Sequence, residues 1–309
     1  MTTFRRLILL PLVLVATVVV TLTVHGANRT LVLLAGRASH GPGEHEFRAG
    51  SLLFQKALAG VPGLTVEVVS NGWPTKMVDG RAVDDDAVLE RADAILVYAD
   101  GGRGNPAIQG NRISVLDALA ARGVGLGFAH YGVEFPVGPG ADAMLRWTGG
   151  YYEDHYSVNP MWAPRYERFP VHPITRGVLP FSNRDEWYFN MRWTNDPAAK
   201  ARITPILTAT PGDDVRNGPY VSPRGPYPHI IADSGKQETL MWAYERPDGG
   251  RSFGFTGGHT HRNWGDVNQR RLMLNALLWI ARIDVPPSGV VDHITAADLE
   301  MNLDAKAAK

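Results

Sequence analysis

Residues 30–36 read TLVLLAG, and this short apolar run, broken by Gly36, is the stretch that decides the fold. A run of four to eight apolar residues bounded by a turn residue is typical of a strand buried on both faces. Residues 94–98, AILVY, have the same character and are also followed by glycine-rich sequence. Both runs predict strands in the interior of a sheet.

Helical segments alternate with these strands. Residues 46–58 carry apolar side chains near helical spacing and are followed by Gly60 and Pro62, and residues 268–282 place leucines among polar residues. The alternation as a whole comprises strands at 30–35, 65–69, 94–98 and 124–128, helices at 46–58, 112–122 and 268–282, and a hairpin pairing 239–244 with 252–256. It predicts βαβ units and an α/β fold with a parallel sheet.

Residues 150–227 differ from the rest of the chain in composition. They are rich in aromatic residues and proline and show few helical repeats. We interpret them as a loop-rich aromatic insertion over one end of the sheet. The sequence from residue 293 is expected to form a peripheral tail because its end is polar and lysine-rich. The predicted organisation is one domain over 28–292, containing the insertion at 150–227, and a tail at 293–309.

The N-terminus has the features of a targeting segment. Arg5 and Arg6 precede an apolar run over residues 7–24, which is followed by Gly26 and Ala27. This pattern predicts a signal peptide over residues 1–27. An uncleaved anchor is the alternative, because a run of about 18 residues borders on what spans a bilayer. We therefore expect a periplasmic or secreted protein, or one anchored by this segment and facing outside the cytoplasm.

Composition excludes several classes of function. The 309 residues contain 31 Lys and Arg, 31 Asp and Glu, and no Cys. A neutral balance argues against a general nucleic-acid binder. The lack of cysteine excludes disulfides, thiolate metal sites and every mechanism with a cysteine nucleophile.

Polar clusters follow the predicted strands, where the ligand crevice of an open α/β sheet lies. The cluster at 39–47 contains His45, whose imidazole could bind a metal, move protons or belong to a polar loop that caps a helix. In the cluster at 99–106, Gly101 and Gly102 could present backbone N–H groups to an anion, or form a flexible turn. The cluster at 127–134 resembles a nucleophile elbow that displays His130, with Glu134 close behind.

A fourth cluster, at 257–266, contains His259 and His261. Both rings could reach one metal, or His261 could simply pack against Trp264. The insertion adds polar and aromatic side chains that suit a sugar ring, although an aromatic core beneath a long loop is the alternative. The candidate sugar-binding residues are Tyr152, His155, Glu186 and Trp187.

Together these motifs resemble the ThuA-like (trehalose utilisation) family from about residue 31 to residue 290. The matching motifs are HGPGEHE (40–46), YADGG (98–102), GFAHYGVE (127–134), YEDH (152–155), HPITRG (172–177), DEWY (185–188) and GFTGGHTH (254–261). The resemblance implies a flavodoxin-like sandwich of the class I glutamine amidotransferase type. On that plan Gly101 and Gly102 form the oxyanion loop, His130 occupies the elbow position normally held by Cys, and His259 lies near the catalytic His.

The missing cysteine means that the chain is not a glutaminase. The histidines, with Glu134, could instead hold a divalent metal, or act without one as an acid/base pair. We expect His130 and His259 to be catalytic with Glu134 orienting them, and Gly101, Gly102, Tyr152, His155, Glu186 and Trp187 to bind substrate. The expected metal ligands are His45, His130, His259 and His261, and no other cofactor is expected.

The resemblance implies a small carbohydrate as the partner. The resulting hypothesis is an extracytoplasmic enzyme that isomerises an oxidised (keto) sugar or cleaves a keto-glycoside by elimination, since a ketone acidifies the neighbouring C–H. The alternatives are a non-catalytic carbohydrate-binding protein with an exposed aromatic platform, such as Trp162 or Trp187, and a metal-dependent hydrolase of another substrate.

Overall fold

The computed structural model describes residues 28–307. In chain order, the strands in this range are β1 (Arg29–Ala35), β2 (Leu64–Val69), β3 (Thr75–Val78), β4 (Arg81–Asp84), β5 (Ala94–Tyr98), β6 (Gly125–Ala129), β7 (Gly150–Tyr151), β8 (Met161–Trp162), β9 (Asp185–Glu186), β10 (Arg192–Trp193), β11 (Ile203–Ala209), β12 (Glu238–Glu245) and β13 (Arg251–Phe255). The α-helices are α1 (Phe47–Leu58), α2 (Ala87–Glu90), α3 (Arg112–Ala121), α4 (Pro139–Thr148), α5 (Pro197–Lys200), α6 (Asp213–Arg216), α7 (Pro228–Ala232), α8 (Val267–Ile280) and α9 (Ala296–Leu299). Short 3₁₀ helices lie at Gly102–Gly104, Pro106–Ile108, His130–Val133, Pro173–Thr175 and His261–Gly265.

The central sheet has seven strands in the order β11-β12-β13-β6-β5-β1-β2. β13, β6, β5, β1 and β2 run parallel, whereas β12 is antiparallel to both of its neighbours. The predicted α/β fold with a mainly parallel sheet is therefore confirmed. The carboxyl ends of the parallel strands lie at one edge of the sheet, which is where a ligand crevice forms in such folds.

Helices cover both faces of the sheet. Along β5, Leu96 and Tyr98 point into a core shared with α1 and α8, while Ile95 and Val97 point into a second core shared with α3 and α4. Every residue of β5 is buried. Burial on both faces explains why this strand is a continuous apolar run and not an alternating one.

The predicted strands and helices of the sheet occur at the expected places, within one to two residues at their ends. One difference concerns the predicted insertion, because its residues 203–209 form β11, an edge strand of the central sheet. Pro205 interrupts the strand pattern there, since proline gives no N–H to a ladder and is tolerated at an edge. The hairpin of β3 and β4 and the helix α4 were also not predicted.

The tail contacts the body of the protein at several points. Asp298 of α9 forms an ion pair with Lys56 of α1, and Lys306 forms one with Glu46. No helix within 28–307 is long and apolar enough to cross a membrane. The predicted signal segment, 1–27, lies outside the described residues.

Candidate functional site

Four buried side chains from four separate segments converge beyond the carboxyl ends of the parallel strands. His45 lies between β1 and α1, His130 follows β6, His259 follows β13, and Glu186 belongs to β9. One ligand atom from each of the four lies within 4.8 Å of the others. We call these residues the histidine cluster.

His130 is presented by a sharp turn at the end of β6. It is the first residue of the 3₁₀ helix His130–Val133, it has φ 53°, and it is fully buried. A positive φ is uncommon for a residue with a side chain and is typical of functional turns. Its Nδ1 lies 3.2 Å from the carbonyl oxygen of Thr256, so the tautomer that donates there carries its lone pair on Nε2.

His45 is oriented in the same way. Its backbone also has a positive φ, 47°, and its Nδ1 lies 2.9 Å from Oδ1 of Asp100. The Oγ of Ser39 donates to the same carboxylate oxygen of Asp100 at 2.9 Å. The Nε2 of His45 faces the cluster, 3.0 Å from Nε2 of His130 and 3.0 Å from Nδ1 of His259.

Glu186 supplies the carboxylate of the cluster. Its Oε2 lies 2.8 Å from Nδ1 of His259. Its Oε1 accepts a hydrogen bond from the side-chain amide of Asn159 at 2.8 Å. The two oxygens are thus oriented from opposite sides, one toward His259 and one toward Asn159.

Backbone hydrogen bonds fix the two loops that carry His45 and His259. The N–H of His45 donates to the carbonyl of His259 at 3.0 Å, and the N–H of His261 donates to the carbonyl of Gly43 at 2.9 Å. From the other side, the carboxylate of Asp185 accepts from the N–H groups of Gly258 and Thr260 at 2.9 and 3.0 Å. The segments 43–45 and 258–261, which we call the paired loops, therefore form one braced unit.

This arrangement has the composition of a divalent-metal site. Three imidazole nitrogens and one carboxylate oxygen form a donor set that zinc and similar ions accept. His130 and His45 each have an oxygen acceptor at the ring nitrogen that faces away from the cluster. Such acceptors fix the tautomer of metal-bound histidines. The residues present therefore fit a divalent ion.

Burial and mutual repulsion perturb the acid–base properties of the cluster. Burial, reinforced by the neighbouring His45 and His259, lowers the pKa of His130 well below its usual value. Burial also acts to lower the pKa of His259, but the hydrogen bond and the charge of Glu186 outweigh it, so the net shift is upward. Burial raises the pKa of Glu186. Neutral His130 is the form that can bind a metal.

The histidine cluster opens into a cleft of about 290 Å³. Glu134 lines this cleft, and burial, followed by the carboxylates of Asp154 and Glu186, raises its pKa to about 8. Neither Lys nor Arg lines it; the lining residues are His40, His45, Tyr131, Glu134, Asp154, Asn159, Glu186, Tyr188, Val221, Ser222 and Pro223.

The structure places His261 outside the histidine cluster. It is the last residue of the paired loops, begins the 3₁₀ helix His261–Gly265, and is buried. Burial lowers its pKa, and the charge of Glu46 only partly opposes this shift. Glu186, expected from the sequence to bind substrate, lies where His261 was expected, among the three remaining imidazoles.

The two glycines expected to bind substrate lie beside the cleft. The N–H of Gly102 donates to the carbonyl of Glu134 at 3.0 Å. A Cβ on Gly101 would lie 2.0 Å from the carbonyl oxygen of Tyr131, so the backbones of these two loops are in tight contact.

The other residues expected to bind substrate differ in exposure. Tyr152 is buried against Tyr188, and Trp187 is fully buried and packs edge-on against Phe255. The side chain of His155 is 72% exposed, close to Asp154 at the edge of the cleft.

Several residues that orient the cluster were not singled out from the sequence. Asp100, Asp185 and Tyr188 stand in the quoted motifs without an assigned role, and Tyr188 places its hydroxyl 3.3 Å from Nε2 of His130. Asn159 stands in no motif. Nothing in the sequence indicated a role for Asn159. For Asp185, the one available signal was that it directly precedes Glu186.

Comparisons with known proteins agree with this architecture. The ThuA family, described as trehalose utilisation, matches residues 44–280. A putative ThuA-like protein from Bacteroides uniformis shares 15% identity over 84% of this chain and 93% of its own, with a TM-score of 0.56. That structure shows the fold, and the predicted resemblance is confirmed.

Two further solved structures match at lower similarity. A cytoplasmic protein from Salmonella typhimurium shares 12% identity over 82% of this chain and 98% of its own, with a TM-score of 0.45. A glutamine amidotransferase from Thermotoga maritima shares 9% identity over 83% of this chain and 99% of its own, with a TM-score of 0.38. No curated protein matches the chain in sequence.

Proposed function

Because the chain belongs to the ThuA family, described as trehalose utilisation, we propose that it is an extracytoplasmic enzyme that transforms an oxidised sugar or glycoside with a divalent metal ion. The observation that carries this proposal is the convergence of His45, His130, His259 and Glu186, with ligand atoms within 4.8 Å of one another. The family supports a role in carbohydrate utilisation. The metal, the substrate and the location are the proposal.

The facing nitrogens of His45 and His130 are the strongest support for a cation. Each ring has a hydrogen-bond acceptor at Nδ1, Asp100 for His45 and the Thr256 carbonyl for His130. When each Nδ1 donates, two Nε2 lone pairs face each other at 3.0 Å, which is repulsive unless a positive charge lies between them. A divalent ion held by the cluster removes this repulsion, and it would polarise the carbonyl oxygen of a bound ketone.

Glu134 is the group that would move the proton. Its pKa of about 8 lies near neutrality, where a general acid or base is most effective. The ionised carboxylate would take the proton from the carbon beside the ketone. In a keto-glycoside the electron pair of that C–H bond then forms a C=C bond, the glycosidic C–O bond breaks, and Glu134 returns the proton to the departing oxygen. In an isomerisation the proton returns to the sugar.

The cleft supports a neutral substrate. No lysine or arginine lines it, so a phosphate or carboxylate on the sugar would lie near Asp154 and Glu186 with no basic side chain to offset the repulsion, and the proposed ion would already be held by the histidine cluster. The carbohydrate-binding alternative requires an exposed aromatic platform. Trp162 is only 8% exposed and Trp187 is fully buried, so neither offers a face to solvent. This observation favours the enzyme.

The test of the metal site is the metal content of the purified protein after dialysis against zinc or manganese. We expect one equivalent in the wild type and none in His259→Ala. His261→Ala is the matched control, because it removes an imidazole only two residues away and outside the cluster. Absence of metal from the wild type, or its loss from both variants to the same extent, would contradict the proposal.

The test of the chemistry is turnover of a keto-glycoside by Glu134→Gln. Loss of a general acid or base lowers turnover by about 10²- to 10⁴-fold, and the metal content should be unchanged. Full activity of this variant would exclude the role assigned to Glu134. Neutral keto-glycosides should react, and their phosphorylated counterparts should not.

The proposed location follows from the sequence of residues 1–27, in which Arg5 and Arg6 precede an apolar run. The test is fractionation of the native host with N-terminal sequencing of the protein. A protein that begins near Asn28 outside the cytoplasm is expected. A cytosolic protein that retains residues 1–27 would contradict this part of the proposal.

A further inference from the structure

We infer that Lys306, three residues from the C-terminus, is a positioning residue that holds the loop carrying His45 in its metal-binding conformation. The inference rests on the proposed metal site. Its structural basis is a set of contacts between the tail and the segment 43–46, which link the two ends of the domain across 260 residues of sequence.

The ammonium group of Lys306 contacts the loop at three oxygens. Its Nζ donates to the carbonyl of Glu44 and to the carbonyl of His45 at 3.3 Å, and it forms an ion pair with Oε1 of Glu46, 3.1 Å away. The ammonium group is therefore held by two backbone hydrogen bonds and by the charge of Glu46. Two of the three oxygens are the backbone carbonyls of Glu44 and His45. Lys306 therefore holds the main chain on both sides of the His45 Cα.

The carboxylate of Glu46 links the tail to the loop through further hydrogen bonds. Its Oε1 also accepts from the N–H of Gly43 at 3.0 Å, and its Oε2 accepts from the N–H of Asp304 at 2.8 Å. The side chain of Lys306 is 5% exposed and that of Glu46 is 1% exposed. This is a buried ion pair in which each side chain also forms two hydrogen bonds to the backbone, unlike the solvent-exposed pairs that contribute little.

The loop needs such support because its backbone conformation is unfavourable. His40 and His45 both have positive φ, 61° and 47°, and no helix or strand forms between β1 and α1 until Phe47. A residue other than glycine keeps a positive φ only when contacts with the surrounding structure hold its backbone in that conformation. On the inner side the loop is held by its pairing with residues 259–261, and on the outer side by Lys306.

Lys306 acts through His45 and not on the substrate. It does not line the cleft, and its contacts stop at the carbonyls behind the imidazole. The Nε2 of His45, which faces the cluster, lies at the tip of the side chain, whereas Lys306 contacts the backbone carbonyl of the same residue. If the loop relaxes, this nitrogen leaves the position that it shares with His130 and His259, and one of the four ligands is displaced.

The experiment compares Lys306→Met, which keeps the aliphatic chain and removes the donors, with Glu300→Gln. The control removes an exposed tail ion pair between Glu300 and Arg262. We expect Lys306→Met to weaken zinc affinity by about 10- to 100-fold, as loss of a supporting contact does, and to alter the visible absorption of the cobalt-loaded protein. Lys306→Arg should restore part of the affinity, and Glu300→Gln should match the wild type.

A second readout does not depend on metal. Hydrogen exchange of the metal-free protein should show faster exchange of the amides in residues 43–46 in Lys306→Met, by about tenfold or more, while β5 stays protected. Unchanged exchange in this loop would overturn the inference even if the wild type binds zinc. If the amides of residues 43–46 exchange faster in Lys306→Met but the wild type binds no zinc, Lys306 still positions the loop and the proposed metal site is refuted. Loss of protection throughout the sheet would mean that Lys306 supports the fold as a whole, which also overturns the inference.

Discussion

Asp185→Asn should lower the stability of the protein, because the two carboxylate oxygens of Asp185 accept hydrogen bonds from different backbone N–H groups. Oδ2 accepts from the N–H of Gly258, whereas Oδ1 accepts from the N–H groups of Thr260 and Glu186, at distances of 2.9 to 3.0 Å. The side chain is fully buried. An asparagine has one carbonyl oxygen, so its amide nitrogen must face an N–H donor on one side.

The magnitude follows from these contacts. The variant loses one charge-assisted hydrogen bond, worth about 1.5–3 kcal/mol, and leaves a buried N–H without an acceptor. We expect the free energy of unfolding to fall by about 2–4 kcal/mol, measured by urea denaturation. Because Gly258 and Thr260 flank His259, zinc affinity should fall as well.

Asp266→Asn is the matched control. Asp266 also accepts two backbone N–H groups, from Asn268 and Gln269, but both go to the same oxygen, Oδ1, at the start of α8. One carbonyl oxygen can accept both, and asparagine caps helices about as well as aspartate. A loss below about 0.5 kcal/mol is expected here. Equal losses in the two variants would refute the reasoning.

Two further predictions concern Glu134 in the cleft and the glycine loop beside it. Glu134 has a folded-state pKa of about 8, above its usual 4.5, so the stabilisation from its protonated form is complete below pH 4.5 and is lost as the pH rises through 8. The free energy of unfolding should therefore fall by about 3 kcal/mol more in the wild type than in Glu134→Gln between pH 5 and pH 8, and parallel pH profiles would contradict this. Gly101→Ala should destabilise the fold by about 2 kcal/mol, because its Cβ would lie 2.0 Å from the carbonyl of Tyr131. Gly104→Ala, where a Cβ meets no atom within 4 Å, should have little effect in the same denaturation assay.

The sequence predicts the strands of this fold best where burial is complete. β5 matches the predicted strand at both ends because all five of its residues are apolar and buried. α4 was missed because it begins with Pro139 and Gly140, a pair that usually marks a turn. Proline nevertheless suits the first turn of a helix, and Gly149 ends this one in the left-handed conformation.

The candidate site was predictable only in part. His45, His130 and His259 follow strands of one sheet, so their proximity can be inferred from the topology. The pairing of His259 with His261 assumed that both rings face one ligand, but the chain turns into a 3₁₀ helix at His261. Glu186 belongs to the two-residue strand β9, which follows a long segment after β8 whose path no periodicity in the sequence describes.

The separation of the cluster residues along the chain has a consequence for biosynthesis. His45 and His130 are 85 positions apart, and His45 and His259 are 214 positions apart. A partly synthesised chain therefore contains isolated histidines and no preformed site, since these contacts need long-range closure. Because His259 lies 214 positions after His45, capture of the proposed ion would follow the synthesis of most of the domain. Fragments truncated before His259 lack one of the four side chains of the histidine cluster and should not retain the proposed ion.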